Sequence, residues 1–212
     1  MPSLKNLALV ALVTVASACA SSSTFKSTWT NPEATPAAFA GKKVLAVVPL
    51  AEPGRRRAAE DALAAEITKR GAEGIASYTL FPAGAAKQDT AAARATAQKA
   101  GIAGLIIMQF MGKEQSVSSS PSYSSSMWMG DPYYRNTWGA WGHGWSTAYV
   151  SESVRTDTKV LVETRVYSLE QGRLLWAGSS ETWNPDKSSD IVKDLSAGVT
   201  KKMQEAKLLK AK

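Results

Sequence analysis

Lys43-Val44-Leu45-Ala46-Val47-Val48-Pro49-Leu50 is the stretch that decides the fold. From Val44 onward every position is apolar, and three of the eight residues are valine. A half-exposed strand would alternate apolar with polar. A β-branched run apolar at consecutive positions predicts a strand buried on both faces, the pattern of parallel sheets. Glu52-Pro53-Gly54 breaks it. Residues 56–70 then read as a helix, with Ala59, Leu63 and Ile67 at i, i+4 and i+8 and Ala62 and Glu66 flanking the stripe. Gly71 stops it. Residues 74–81 alternate as a second strand closed by Pro82. Asp89 is placed to cap a helix over 90–100 that Gly101 ends. Residues 104–112 (GLIIMQFMG) give a third strand, again apolar on both faces. The order β-α-β-α-β implies parallel pairing and right-handed crossovers.

The second half changes character. Residues 151–168 and 173–183 read as two strands joined by Glu170-Gln171-Gly172, a tight turn with glycine available for positive φ. They predict an antiparallel hairpin. Ser188 or Ser189 can cap a final helix running to about Leu208, with Ile191, Leu195, Val199 and Met203 as its apolar stripe. The predicted class is therefore α/β with a mixed-direction sheet (α+β in its second half). The order is β-α-β-α-β, a long aromatic loop, a β-hairpin and a C-terminal helix.

The N-terminal end reads as a targeting segment. Lys5 supplies a positive start, residues 7–15 a short apolar stretch, and Ala16-Ser17-Ala18 a small-residue cleavage zone. The apolar part is shorter than the roughly 20 residues a membrane-spanning helix needs. Residues 1–18 are expected to be a signal peptide. Cys19, the chain's single cysteine, follows directly, where a bacterial lipobox puts its lipid-bearing residue. Ala16 stands where the usual lipobox has leucine, so ordinary cleavage of the A-x-A type is the competing reading. A free thiol in an oxidising compartment is reactive, which favours lipid attachment at Cys19. Ala20, not Asp, follows it, as in lipoproteins sorted to the outer membrane. Residues 19–41, rich in Ser, Thr, Ala and Pro, are expected to be a lipid-anchored tether. Phe25 and Trp29 interrupt that composition, so its second half can dock on the domain, with 25–29 as a short edge strand. Residues 42–210 are the single domain.

Catalytic chemistry finds little to stand on. His143 is the only histidine and lies between Gly142 and Gly144. No G-x-S-x-G elbow accompanies it, and no phosphate-binding loop occurs. With one His and one Cys, a zinc site would draw its other ligands from carboxylates alone. The expectation is a non-enzymatic protein with no metal and no cofactor beyond a covalent lipid. The net charge of +7 comes from scattered basic residues without a Lys/Arg run, so no nucleic-acid partner is expected. Arg55-Arg56-Arg57 is the local exception. It begins a helix, where the macrodipole disfavours cations, just past the carboxyl end of a strand where open α/β sheets bind ligands. It is read as an anion-binding candidate, against the alternative of three solvated arginines. The carboxylates Glu60-Asp61, and Glu163 with Arg165, read as solvated faces.

Residues 116–147 are the unusual segment. A Ser-rich part is followed by Trp128, Tyr133, Tyr134, Trp138, Trp141 and Trp145, and four of the chain's seven tryptophans fall here. Long segments between strands are disproportionately functional, and Trp and Tyr are favoured at interfaces. These six aromatics are the candidate interaction surface for a protein, glycan or lipid. The alternative is an extended hairpin whose aromatics fold back on the domain.

Residues 41–49, 56–63, 104–108 and the pair Tyr167-Ser168-Leu169 and Gly172-Arg173-Leu174-Leu175-Trp176-Ala177-Gly178 resemble a family of bacterial lipoproteins with no assigned activity. The similarity covers about 40–183 and its motifs are structural. The layout is also similar to the α/β domains of curli-secretion lipoproteins, of the N-terminal part of the Tol translocation protein, and of lipoprotein activators of penicillin-binding proteins. The resemblance implies envelope residence on the periplasmic face of the outer membrane, a lipid anchor and an envelope protein partner. It leaves open a homo-oligomeric secretion or pore component, and a soluble periplasmic binder of a small molecule or anion.

Overall fold

The computed structural model describes residues 23–36, 38–81, 90–115, 158–183 and 188–210. The stretch that decides the fold forms β2 (Lys43–Val47). It lies inside a six-stranded sheet of order β1-β6-β5-β4-β2-β3. The others are β1 (Ser23–Thr30), β3 (Glu73–Ala76), β4 (Ile102–Gln115), β5 (Thr158–Ser168) and β6 (Arg173–Trp183). β2 is parallel to both neighbours, β3 and β4. β4 pairs antiparallel with β5, β5 with β6, and β6 with β1. The class is the mixed α/β one expected.

Helices α1 (Pro53–Lys69) and α4 (Ser188–Glu205) lie on one face. Leu63, Ile67, Leu195, Val199 and Met203 from them pack with Val44, Ala46, Ile106, Met108, Val162 and Trp176 from the strands. α3 (Thr90–Lys99) covers part of the opposite face, where Ala93 and Ala97 meet Leu45, Leu105 and Ile107. β2 thus carries alternate residues into two apolar clusters, which is why its sequence shows no polar side.

Several boundaries differ from expectation for local reasons. Glu52-Pro53-Gly54 lies between β2 and the body of the helix as expected, but Pro53 and Gly54 already belong to α1. Glu52 is the N-cap, and its carboxylate accepts from the Gly54 and Arg55 backbone N–H groups at 2.7 Å each. Proline at the first helical position lacks only an N–H that has no helical partner there. The strand expected over 74–81 is only β3. Ser77–Leu80 turns into a short helix, α2. The cause is Glu60, whose carboxylate accepts the Tyr78 N–H and the Ser77 hydroxyl, both at 2.7 Å. β4 is longer than the expected 104–112 and continues through a register shift between Phe110 and Gly112. β6 has the expected bounds, and Gly172 in the turn before it takes φ 65°.

Part of the segment 19–41, expected to be a tether whose second half docks, lies in the sheet. Ser23–Thr30 is β1, an edge strand in register with β6 from Ser23↔Thr182 to Thr30↔Trp176. It takes in the edge strand expected over 25–29 and extends it at both ends. Hydroxyl pairs Ser23–Thr182 and Ser27–Ser179, both 2.7 Å, tie it on. Asn31 then donates from its backbone and side chain to the Leu175 and Leu174 carbonyls. Phe39 is 1% exposed, and its ring occupies the space that a Cβ on Gly104 would need. Ser, Thr and Ala composition suggested a linker, but Thr suits the pleated surface of a strand, and the apolar residues at 25, 29 and 39 fix the segment in place.

Phe39→Ala is expected to lower the unfolding free energy by about 3–5 kcal/mol, as for other buried aromatics. Denaturant titration checks this; a change under about 0.5 kcal/mol is what a residue of a solvated tether would give.

Candidate functional site

Two polar constellations stand out against the apolar core. The first is at the carboxyl end of β2. Arg56 and Glu60 lie four residues apart on α1, one turn along the same stripe as Ala59 and Leu63, and their side chains are 3% and 0% exposed. The Arg56 Nε donates to Glu60 Oε1 at 2.9 Å. Its Nη2 donates to the Ser77 hydroxyl at 3.0 Å and to the Phe81 carbonyl at 3.3 Å. Glu60 also accepts the Val48 N–H at 3.3 Å, which takes that group out of the strand ladder just where β2 ends. Glu60 is therefore a hub joining β2, α1 and α2, and not part of a solvated helix face as its sequence neighbourhood suggested.

This placement divides the arginine cluster. Arg56 is turned inward and engaged by its own chain, while Arg55 and Arg57 stay at the surface. Arg55 is exposed beside Glu52, and Arg57 lies over the Tyr78 ring with its guanidinium carbon 5.6 Å from the ring centroid. The macrodipole conflict read in the sequence is eased by the capping carboxylate of Glu52. Backbone hydrogen bonds from Gly54 and Arg55 hold that group below its ordinary pKa. Tyr78 donates to Asp61 at 2.8 Å, and this bond raises the phenol above its ordinary value.

The second constellation runs across β4, β5, β6 and β1 beyond the end of β2. Register sets Gln109 opposite Glu163, Ile107 opposite Arg165, and Leu161 opposite Glu181. With side chains alternating along each strand, these residues share the sheet face of Leu105 and Ile107. Arg165 donates to Gln109, and its Nε lies 3.6 Å from Glu163 Oε1. Glu163 and Arg165 are 6% and 0% exposed, so they are not the solvated strand face expected. Further along, Glu181 receives Lys159 at 2.7 Å and Lys26 at 3.1 Å. Trp183 closes the row with the Lys159 ammonium 5.4 Å from its ring centroid. Burial pushes the Glu181 carboxyl up, but hydrogen bonds and charge from Lys159 and Lys26 outweigh it and leave the pKa lowered.

Among the described residues no three His, Cys, Asp or Glu side chains form a metal-ligand group. The second constellation holds charge of both signs on one sheet face beside a half-exposed indole. Sequence reading missed the partnership of Glu60 with Arg56, although their i, i+4 spacing on the apolar stripe carried the signal. It also missed Lys26, Lys159, Glu181 and Trp183, which only strand register brings together. Cys19, His143 and the aromatics Trp128, Tyr133, Tyr134, Trp138, Trp141 and Trp145 lie outside the described residues. What register does fix is where the insertion leaves the fold. β4 and β5 pair to Gln115↔Thr158, so residues 116–157 join the two strands of one antiparallel pair at its tip.

Glu181→Gln is expected to cost about 1–3 kcal/mol at neutral pH, the range for hydrogen bonds to charged groups. Because the folded pKa lies below the ordinary 4.5, the carboxylate's contribution is complete above that pH and fades as pH falls through the folded value. Thermal melts from pH 7 to pH 2 should show the wild type and variant converging in acid; a constant gap would contradict the ionic origin.

No protein-family model matches the chain, and no curated protein does. Among solved structures it is similar to the PelC dodecamer from Paraburkholderia phytofirmans, at 14% identity and TM-score 0.47, over 90% of this chain and 99% of that one. A single-residue variant of that dodecamer gives 15% identity and TM-score 0.45, over 86% and 98%. Lipoprotein GNA1162 from Neisseria meningitidis gives 12% identity and TM-score 0.41, over 77% and 99%.

Proposed function

We propose that this chain is a non-enzymatic lipoprotein of the bacterial envelope, anchored through Cys19 on the periplasmic face of the outer membrane. Its domain binds an envelope protein partner and acts in assembly or scaffolding. One observation carries the reading. β1 starts at Ser23 beside Thr182, and the 116–157 insertion leaves from Gln115↔Thr158 at the same end of the same sheet. The anchor and the aromatic segment therefore leave the domain together, and the opposite end holds the turns at Gly41, Gly71 and Gly172. A segment rich in Trp and Tyr beside an acylated terminus suits contacts made at the membrane surface with another envelope component.

The polar constellations favour binding over turnover. The described carboxylates at their centres are engaged by Arg56, Arg165, Lys159 and Lys26. An oligomeric secretion or pore component remains the second reading. It is favoured by β1, whose outer edge has no strand beside it among the described residues and offers a pairing template. A soluble anion binder is the weaker alternative, since Arg56 is committed within the core.

The test is intact mass and membrane fractionation of the wild type and Cys19→Ser. The expected result is acyl mass on the wild type, sedimenting with the outer membrane, and a soluble variant. An unacylated, soluble wild type would contradict the reading. Crosslinkers placed at Trp138 and Trp145 should then yield a discrete heterologous adduct for a partner-binding protein, or a ladder of self-adducts for an oligomeric one.

A further inference from the structure

Cys19 and Ser23 are four residues apart in the chain. Four residues reach at most about 14 Å when fully extended. Ser23 is locked to Thr182 by backbone register and a 2.7 Å hydroxyl pair. An acyl chain on Cys19 would consequently hold this end of the sheet within a headgroup layer's distance of the bilayer. The surface that would be brought down has a definite chemistry.

Trp183 follows Thr182 and is 50% exposed, the one large apolar side chain left so open among the described residues. Lys26, on β1, is also exposed, and Lys159 sits against the Trp183 ring. Lys26 and Lys159 both reach the carboxylate of Glu181, and of the two it is Lys26 that lies at the surface. An indole with one apolar and one polar edge is favoured at the membrane interface, and lysines at the surface are attracted to anionic lipid.

We infer that the corner formed by Ser23, Lys26 and Trp183 seats on the bilayer surface, with the Trp183 indole in the interface and Lys26 against lipid phosphates. This rests on the anchored-lipoprotein reading and adds an orientation to it: the sheet stands on its β1/β6 end, and the turn at Gln171 points away from the membrane. The contact supplies a second, non-covalent membrane signal beside the acyl chains.

The experiment uses the lipidated full chain in vesicles of phosphatidylethanolamine and phosphatidylglycerol. An acylated Cys19 is a thioether and the chain has no other cysteine, so Trp183→Cys or Gln171→Cys introduces the only reactive thiol. Each is labelled with an environment-sensitive fluorophore and quenched by nitroxide-bearing lipid. Thr24→Cys, exposed on β1, replaces Trp183→Cys if that variant does not fold. The expected result is a blue shift and at least about three-fold stronger quenching at position 183 or 24 than at 171, as for interfacial against bulk-water sites. Equal responses from an acylated protein would overturn the orientation and leave the lipoprotein reading standing. A protein whose intact mass lacks acyl groups would remove both.

Discussion

Everything in this domain hangs on the two-sided pairing of β4. One edge bonds in parallel to β2 and the other antiparallel to β5. The strand is 14 residues long against 5 for β2. Its first half lies within the helix-covered α/β core, and its second half carries the sheet past the end of β2. That difference in length creates two regions from one sheet. One is a close-packed body built around Leu45, Ile106 and Ile107. The other is a projecting end made only of antiparallel strands, where the polar row and the base of the insertion are found. Removing the parallel neighbour on one side is what frees the β4–β5 pair to extend.

Charge is buried in both regions, with different consequences. The Arg56–Glu60 pair is inside the body and is saturated by Val48, Ser77, Tyr78 and Phe81. Buried pairs of this kind are seldom a net source of stability against an apolar substitute, but breaking one is costly. Here the pair dictates local shape: it ends β2, and it converts the residues after β3 into a helical turn. The Lys26–Glu181–Lys159 group, by contrast, lies near the sheet's end with Trp183 half-exposed beside it. Of that group Lys26 reaches the surface, while Lys159 and Glu181 are buried.

Much of the fold was legible because period and punctuation agreed. The unbroken apolar run at 44–48, the stripe Leu63–Ile67 and the turn at Gly172 each have one cheap structural solution. The misreadings share a cause: a tertiary hydrogen bond or contact overrode a local pattern. Residues 77–80 alternate like a strand, but Glu60 captures the Ser77 hydroxyl and the Tyr78 N–H. Residues 23–39 have a linker's composition, but Phe39 fills the space over Gly104 and β1 completes the sheet. Glu163 and Arg165 look solvated because period two puts them on the face away from Val162 and Val166, yet they are buried. The candidate surface was least legible. Lys26, Lys159, Glu181 and Trp183 are up to 157 positions apart, and only the register of β1 on β6 and of β6 on β5 joins them.

The functional reading and the membrane orientation both depend on β1 being part of the sheet, since that is what shortens the path from Cys19 to a few residues. Hydrogen–deuterium exchange of the full chain, resolved to residues 23–30, tests this most directly. The account requires the β1 amides bonded to β6 to exchange slowly, with protection approaching that of β6 itself. Exchange at the rate of unstructured chain would restore a long tether, detach the domain's end from the anchor, and contradict the account.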